Sequence, residues 1–302
     1  MNDPAGRLQP QRQRIEGRAQ VLGEGMPIVR ALPTRGLRTV GAWCFLDHFG
    51  PSDVTQGPGM RVGPHPHIGL QTVTWLLEGE ILHRDSLGSV QSIRPGQLNL
   101  MTSGRGISHS EESPAPRPSR LHGAQFWVAL PEGARHGEPA FEHHAQLPCT
   151  EHQGLQVTVL LGEAFGLRSP GTVYSPLVGM DVRARGPITA TLPLRREWEY
   201  GFLVLQGAAE LDTEALAPGI LLYLGAGRTE VRLKTTGPVT AVLIGGAPFD
   251  EPLLMWWNFV GRSKEELVAA SREWNLESPR FGTVRGYDGP RIPAPLPPWS
   301  AP

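Results

Sequence analysis

The residues with the clearest capacity for chemistry are His65, His67, His109 and Glu111. In an extended strand, residues two apart point to the same face. His65 and His67 therefore project together, and so do His109 and Glu111. Where two such strands face one another inside a barrel, three imidazoles and one carboxylate converge on one point. That donor set suits a divalent metal with a preference for nitrogen and oxygen. Structural zinc sites are closed and mostly thiolate-rich, and this set has no cysteine. Burying the same four side chains with no ion between them would be costly.

The elements that must position these residues read as β. Residues 72–77 (TVTWLL) run into the turn Glu78-Gly79-Glu80 and continue as Ile81-Leu82-His83. Residues 90–93 (VQSI) follow, then the turn Arg94-Pro95-Gly96, then residues 98–101 (LNLM). Short β-branched and aromatic runs bounded by Gly and Pro are strand signals. The two ligand pairs thus flank a small antiparallel unit that can fold them together.

The chain has 302 residues, enough for two domains of ordinary size. Its 37 glycines and 30 prolines favour many short strands and tight turns. A formal net charge of −1 leaves no electrostatic footprint for direct nucleic-acid binding or for an anionic membrane. The two cysteines, Cys44 and Cys149, form no CxxC and read as reduced thiols. The first twenty residues are polar, without the apolar core of a signal peptide, and no apolar run reaches the length of a membrane span. A cytoplasmic protein is expected.

In chain order, residues 1–15 read as a mobile arm. His48, in the string FLDHFGP, sits among aromatic residues and is expected to pack and hydrogen-bond rather than ligate. Residues 131–154 carry His136, His143, His144, Cys149 and His152 at irregular spacing and read as a solvated crossover segment. The second half then repeats the first: Leu205-Gln206-Gly207 echoes Leu77-Glu78-Gly79, and Ala217-Pro218-Gly219 echoes Arg94-Pro95-Gly96. Self-similarity at this scale implies two stacked domains. Carried across the repeat, His67 falls on Arg195 and His109 on Arg232, so metal chemistry belongs to the first half. Near the end, Ser263-Lys264-Glu265-Glu266 is a capping box in which Ser263 caps and Glu266 reaches back. Leu267, Ala270 and Trp274 then share one helix face, expected to pack on a barrel. The expected blocks are an N-terminal barrel over 16–133, a second barrel over 134–288 and a Pro-rich tail over 289–302.

Three strings resemble one known family: HPHxGxxTV from His65, LEGEIxHRDSxG from Leu77 and PGxLxxMxxGxGIxHSE from Pro95. Together they span roughly fifty residues with several kept spacings, which makes them far more specific than a lone HxH. They resemble the first domain of pirin, in the cupin superfamily, and the Trp257-Asn258-Phe259 region with SKEEL is similar to its C-terminal domain. The resemblance implies an all-β fold of two tandem cupin-type jelly-roll β-barrels, a bicupin, with a short C-terminal helix. By position, the family's metal ligands fall on His65, His67, His109 and Glu111. The glutamate of the general cupin motif is replaced by Gln71, which leaves those ligands unchanged.

Four protein ligands on an octahedral ion leave two positions open, as in non-haem Fe(II) oxygenases. Fe(II) is therefore the first choice of metal, and Mn, Co, Ni, Cu or Zn would suit the same donors. The resemblance implies quercetin 2,3-dioxygenase activity, in which a flavonol ring is opened with O2 and carbon monoxide is released. Glu111 is the ligand that can also serve as general base, since a carboxylate can loosen while histidines hold the ion. Gln71, His83, Met101 and Arg105 are candidates for the substrate cavity or for contacts to the ligands; His83 reads equally well as a surface strand residue. The family also implies an alternative, an iron-dependent redox-sensing module that regulates a transcription factor or a metabolic enzyme through a protein partner.

Overall fold

The computed structural model describes residues 11–300. Its first strands are β1 (Gln13–Glu16), β2 (Arg18–Leu22), β3 (Met26–Leu32), β4 (Trp43–Asp53), β5 (Arg61–His67), β6 (Leu70–Glu78), β7 (Ile81–Asp85) and β8 (Val90–Ile93). There follow β9 (Leu98–Thr102), β10 (Ile107–Glu112), β11 (Arg120–Ala129), β12 (Ala140–His144), β13 (Cys149–His152), β14 (Leu155–Ala164), β15 (Leu167–Arg168) and β16 (Leu177–Ala184). Next are β17 (Ile188–Pro193), β18 (Glu199–Gln206), β19 (Ala209–Leu211), β20 (Glu214–Leu216), β21 (Ile220–Leu224), β22 (Glu230–Thr235) and β23 (Val239–Gly246). The short strands β24 (Leu254–Trp256) and β25 (Phe259–Gly261) lead into the helix α1 (Lys264–Asn275).

Two compact units emerge, and the chain does not fill them in sequence order. Among the described residues, the first comprises 20–28, 49–145 and 250–300; the second comprises 11–19, 29–48 and 146–249. In the first unit β5-β10-β7-β8 form one sheet, while β12, β9, β6 and β11 neighbour one another in a second. Every residue of β6 from Leu70 to Leu76 is buried, so both faces of the strand are covered, the polar Gln71, Thr72 and Thr74 included. Met26, Ile28, Phe49, Met60, Val62, Leu76, Ile81 and Leu121 form a core cluster of this unit.

The second unit carries an order β1-β21-β18-β23-β16-β14-β13 and a smaller sheet β17-β22-β19-β20. Strand β22 alternates exposed and buried along its length, as one face of a barrel wall should. The repeat seen in the sequence is visible at its turns. Gly79 (φ +93°) turns the chain from β6 in one sheet to β7 in the other, and Gly207 (φ +83°) does the same between β18 and β19. A Cβ there would lie 2.4 Å from Arg120 O or 2.2 Å from Pro238 O. Only glycine combines that dihedral with that approach.

Several expectations need correction. Most of the arm proposed for 1–15 lies outside the described residues, but Gln13–Glu16 is a strand paired with β21 in the second unit. Residues 134–145 and 250–300 belong to the first unit, so the division differs from blocks at 16–133 and 134–288. The crossover segment holds two strands, β12 and β13, where a loop was expected. Every residue of β12 is half-buried, which erases the alternation that would betray a strand. The Pro-rich tail is packed: Ile292 N donates to Pro64 O, and Ala294 exchanges hydrogen bonds with the Asn275 amide.

The helix reading holds in detail. Ser263 caps α1 by accepting from Glu266 N at 3.2 Å. Glu266 reaches one residue past the cap, where its Oε2 accepts from Arg262 N at 2.8 Å. Leu267, Ala270 and Trp274 pack with Ile68, Phe259, Phe281 and Ala294. No described helix is long and apolar enough to cross a membrane.

Candidate metal centre

Strand register builds the site. In the β5–β10 ladder His109 lies opposite His65 and Ile107 opposite His67. A bulge between His109 and Glu111 then shifts the pairing, so that Glu111 faces Val62. On its other edge β10 meets β7, where His109 lies opposite Asp85 and Glu111 opposite His83. Six polar side chains, His65, His67, His83, Asp85, His109 and Glu111, are thereby buried in one unit.

His65, His67 and His109 form one group able to hold a metal ion, with ligand atoms within 4.8 Å of one another. Their ring centroids lie 4.3–5.0 Å apart. Glu111 groups with His83 and His109 by the same measure, so the two groups share His109. No third such group occurs among the described residues, and both lie in the first unit.

Hydrogen bonds fix two of the tautomers. His65 Nδ1 lies 2.8 Å from Gly63 O, and His67 Nδ1 lies 3.0 Å from Asn258 O. A carbonyl oxygen can only accept, so both rings donate from Nδ1 and leave Nε2 with its lone pair. His67 Nε2 stands 3.0 Å from His109 Nε2. Asn258 precedes β25, which explains why the C-terminal segment belongs to this unit: its backbone orients a histidine of the site.

Burial sets the charge states. It pulls His65 down to about 4, against an opposing contribution from the Gly63 carbonyl, with a smaller push from His83 in the same direction as burial. It holds His67 and His109 well below the ordinary imidazole value, with neighbouring imidazoles adding to the effect. The same desolvation raises Glu111, partly offset by His83, Gln125 and Thr74. Gln125 Nε2 donates to both carboxylate oxygens at 3.2 and 3.1 Å, and Thr74 Oγ1 donates to Oε1 at 3.4 Å. For Asp85 burial acts upward, but the His83 contact and the Ser89 backbone N–H outweigh it and hold the carboxyl below its usual range.

Neutral imidazoles with free Nε2 atoms beside a buried carboxylate make a donor set with unbalanced negative character. A divalent cation bound by nitrogen and oxygen supplies the missing charge, so these residues fit a metal of that type. The Trp127 and His67 rings meet in a T-shaped contact with centroids 5.2 Å apart, and Phe141 stacks on His83 at 4.4 Å. Both aromatics keep water from the rings they cover.

The remaining sequence candidates divide. His83 is buried and touches His109, so the surface reading of it is corrected. Met101 is buried on β9 and paired in register with Phe141. Gln71 is buried and donates to Thr102 Oγ1 at 2.9 Å. Arg105 is corrected: it sits at a turn between Gly104 and Gly106, half-exposed, and ion-pairs with Glu138. Of the crossover histidines, His143 Nδ1 contacts Asn99 Oδ1 at 2.7 Å and His152 Nε2 contacts Thr191 O at 2.8 Å. Neither joins a metal-capable group among the described residues.

Sequence reasoning missed Asp85, Thr74, Gln125 and Phe141. Asp85 was within reach, since it lies two residues from His83 and must share its strand face. In the second unit the strands matching β5 and β10 are β17 and β22, whose inward residues Ala190, Leu192, Val231 and Leu233 belong to an apolar core. Arg232 points outward opposite Thr191, and Arg195 lies beyond the end of β17.

Comparison with known proteins bears on the family and the fold. A family model described as Pirin matches residues 25–128, and one described as Pirin C-terminal cupin domain matches residues 179–282. A Pseudomonas aeruginosa protein provisionally named quercetin 2,3-dioxygenase is 48% identical, over 95% of this chain and 91% of its own length. A pirin-like protein of Caulobacter vibrioides is 40% identical over 86% of this chain and 91% of its own. The crystal structure of a quercetin 2,3-dioxygenase from Acinetobacter baumannii aligns with a TM-score of 0.93 at 45% identity, covering 96% of this chain and 97% of that one. The two units are accordingly cupin domains, and the architecture is a bicupin with one short C-terminal helix.

Proposed function

Because this chain belongs to the pirin family, we propose that it is a mononuclear metal-dependent dioxygenase that opens a flavonol-type ring with O2. The observation that carries this reading is the buried cluster of His65, His67 and His109 beside Glu111. Support comes also from the relatives named as quercetin 2,3-dioxygenases. His65, His67 and His109 are assigned as nitrogen ligands and Glu111 as the oxygen ligand, with Fe(II) as the metal. Bound there, the ion would act as a Lewis acid toward the substrate enolate and keep positions open to small molecules.

The protein's own residues divide the remaining work. The Gly63 and Asn258 carbonyls hold His65 and His67 with Nε2 presented to the ion. Glu111 takes the proton of the substrate 3-hydroxyl at Oε2, while Oε1 keeps the Thr74 contact. Its raised pKa brings it closer to the working pH of a general base. Trp127 and Phe141 line the cluster with apolar surface and exclude bulk water.

The test is oxygen uptake by Fe(II)-loaded protein with quercetin as probe, alongside loss of the flavonol absorption. Coupled consumption of both that disappears in His67→Ala supports the proposal. Metal-loaded protein that consumes neither contradicts it and favours a regulatory binding role.

A further inference from the structure

Among the described residues, no carbonyl fixes the tautomer of the third histidine of the cluster. His109 Nδ1 lies instead 3.4 Å from His83 Nδ1. His83 Nε2 in turn lies 3.1 Å from Asp85 Oδ2. The other carboxylate oxygen of Asp85 accepts from Leu87 N at 2.9 Å and Ser89 N at 3.0 Å, so the turn after β7 clamps the carboxylate in place. Phe141 stacks on the His83 ring at an interplanar angle of 13°, which fixes the plane of that ring. His83 is 3% exposed and Asp85 2%, so water cannot replace either contact.

We propose that Asp85 and His83 form a two-step hydrogen-bond relay that sets the tautomer of His109 and so aims its Nε2 lone pair at the metal. The direction follows from donor and acceptor chemistry. A carboxylate can only accept, so in the relay a neutral His83 ring donates from Nε2 and is left with a bare Nδ1. That nitrogen accepts from His109 Nδ1, which leaves His109 Nε2 unprotonated. The opposite arrangement would set the His83 Nε2 lone pair against the Asp85 carboxylate, buried and uncompensated. All three histidines then present Nε2, each fixed by a different acceptor: Gly63 O, Asn258 O and, through His83, Asp85. Asp85 and His83 are positioning residues in this scheme, and the carboxylate at the far end strengthens the donor power of His109.

The inference rests on the metal-centre reading above, and the experiment separates the two. Zn(II) serves as a diamagnetic probe. Its affinity is read by competition with a chromophoric chelator, and the ring ¹⁵N shifts of the loaded protein report each tautomer. The expected result is pyrrole-type Nε2 and pyridine-type Nδ1 at His83, a measurement that needs no variant to fold. Asp85→Asn keeps an oxygen for the Leu87 and Ser89 amides but sets an amide N–H against His83. It should weaken Zn(II) roughly 10- to 100-fold. His83→Phe should weaken it similarly, and the double variant should be no worse than His83→Phe alone, because the residues act in series. A proton on His83 Nδ1, additive losses, or Asp85→Asn binding within about twofold of the parent would overturn the relay. Unsubstituted protein that takes up no Zn(II), or His109→Ala that binds as tightly as the parent, would instead overturn the metal centre itself.

Discussion

At the scale of single residues, the site is a problem of lone pairs. His67 Nε2 and His109 Nε2 stand 3.0 Å apart, and the Asn258 carbonyl denies the first of them a proton. A cation drawing on both nitrogens turns that crowding into coordination. Glu111 brings the negative charge, and its neutral partners Gln125 and Thr74 do not cancel it. Glu111→Gln should therefore lower kcat by roughly 10²–10⁴-fold, the usual span for a general base. Steady-state oxygen uptake at matched metal loading would check this; a loss confined to metal affinity would assign Glu111 to holding the ion alone. The HxH spacing made the pairing of His65 with His67 legible, because residues two apart on a strand share a face, whereas the bulge between His109 and Glu111 is not written in the HxE spacing. Gln125 and Thr74 were not legible, since their approach to Glu111 depends on the β6–β11 register, which pairs them. Arg105 was misjudged for a related reason: a turn flanked by glycines sends its side chain to solvent.

The elements show how distant sequence reaches the site. Phe259 of β25 and the buried face of α1 form one cluster with Ile68, the residue after His67. Trp274 anchors that cluster, with its Nε1 donating to Ile292 O at 2.8 Å. Trp274→Ala should cost about 3–5 kcal/mol, the usual range for a buried aromatic. It should also weaken metal binding, because Asn258 O would no longer be held against His67. Thermal melts of metal-free protein, combined with a metal titration, separate the two effects. Ser263→Ala should cost only about 1 kcal/mol, as expected for loss of a cap, and leave metal affinity unchanged. The capping box and the helix face could be read directly from local chemistry. Strand β12 could not, since a half-buried edge strand has no alternation to read, yet it supplies Phe141.

At the scale of the whole molecule, duplication left two barrels with different interiors. One encloses histidines and carboxylates, and the other encloses Ala190, Leu192, Val231 and Leu233. Glycine turns and hairpin echoes exposed the repeat, whereas the assignment of the terminal segments to units depends on long-range pairing that no local pattern encodes. The depressed imidazoles also set a pH dependence for metal-free protein. Unfolded histidine titrates near 6.5, while folded His65 titrates near 4 and the other two lie well below 6.5. Between those values the unfolded chain binds more protons, so stability is full above about 6.5 and falls as the pH drops toward 4. Glu111, raised from 4.5, acts in the opposite sense and favours the folded state at the acid end of the window. Three imidazoles outnumber one carboxylate, so chelator-treated protein should melt at lower temperature at pH 5 than at pH 7. A flat profile would mean that the rings are hydrated.

The most direct measurement is an anaerobic titration of chelator-treated protein with Fe(II), following bound metal per chain in the parent and in His67→Ala. One ion per chain in the parent, and none held tightly by the variant, is the result this account requires. A parent that takes up no ion, or a variant that retains the full complement, would contradict it.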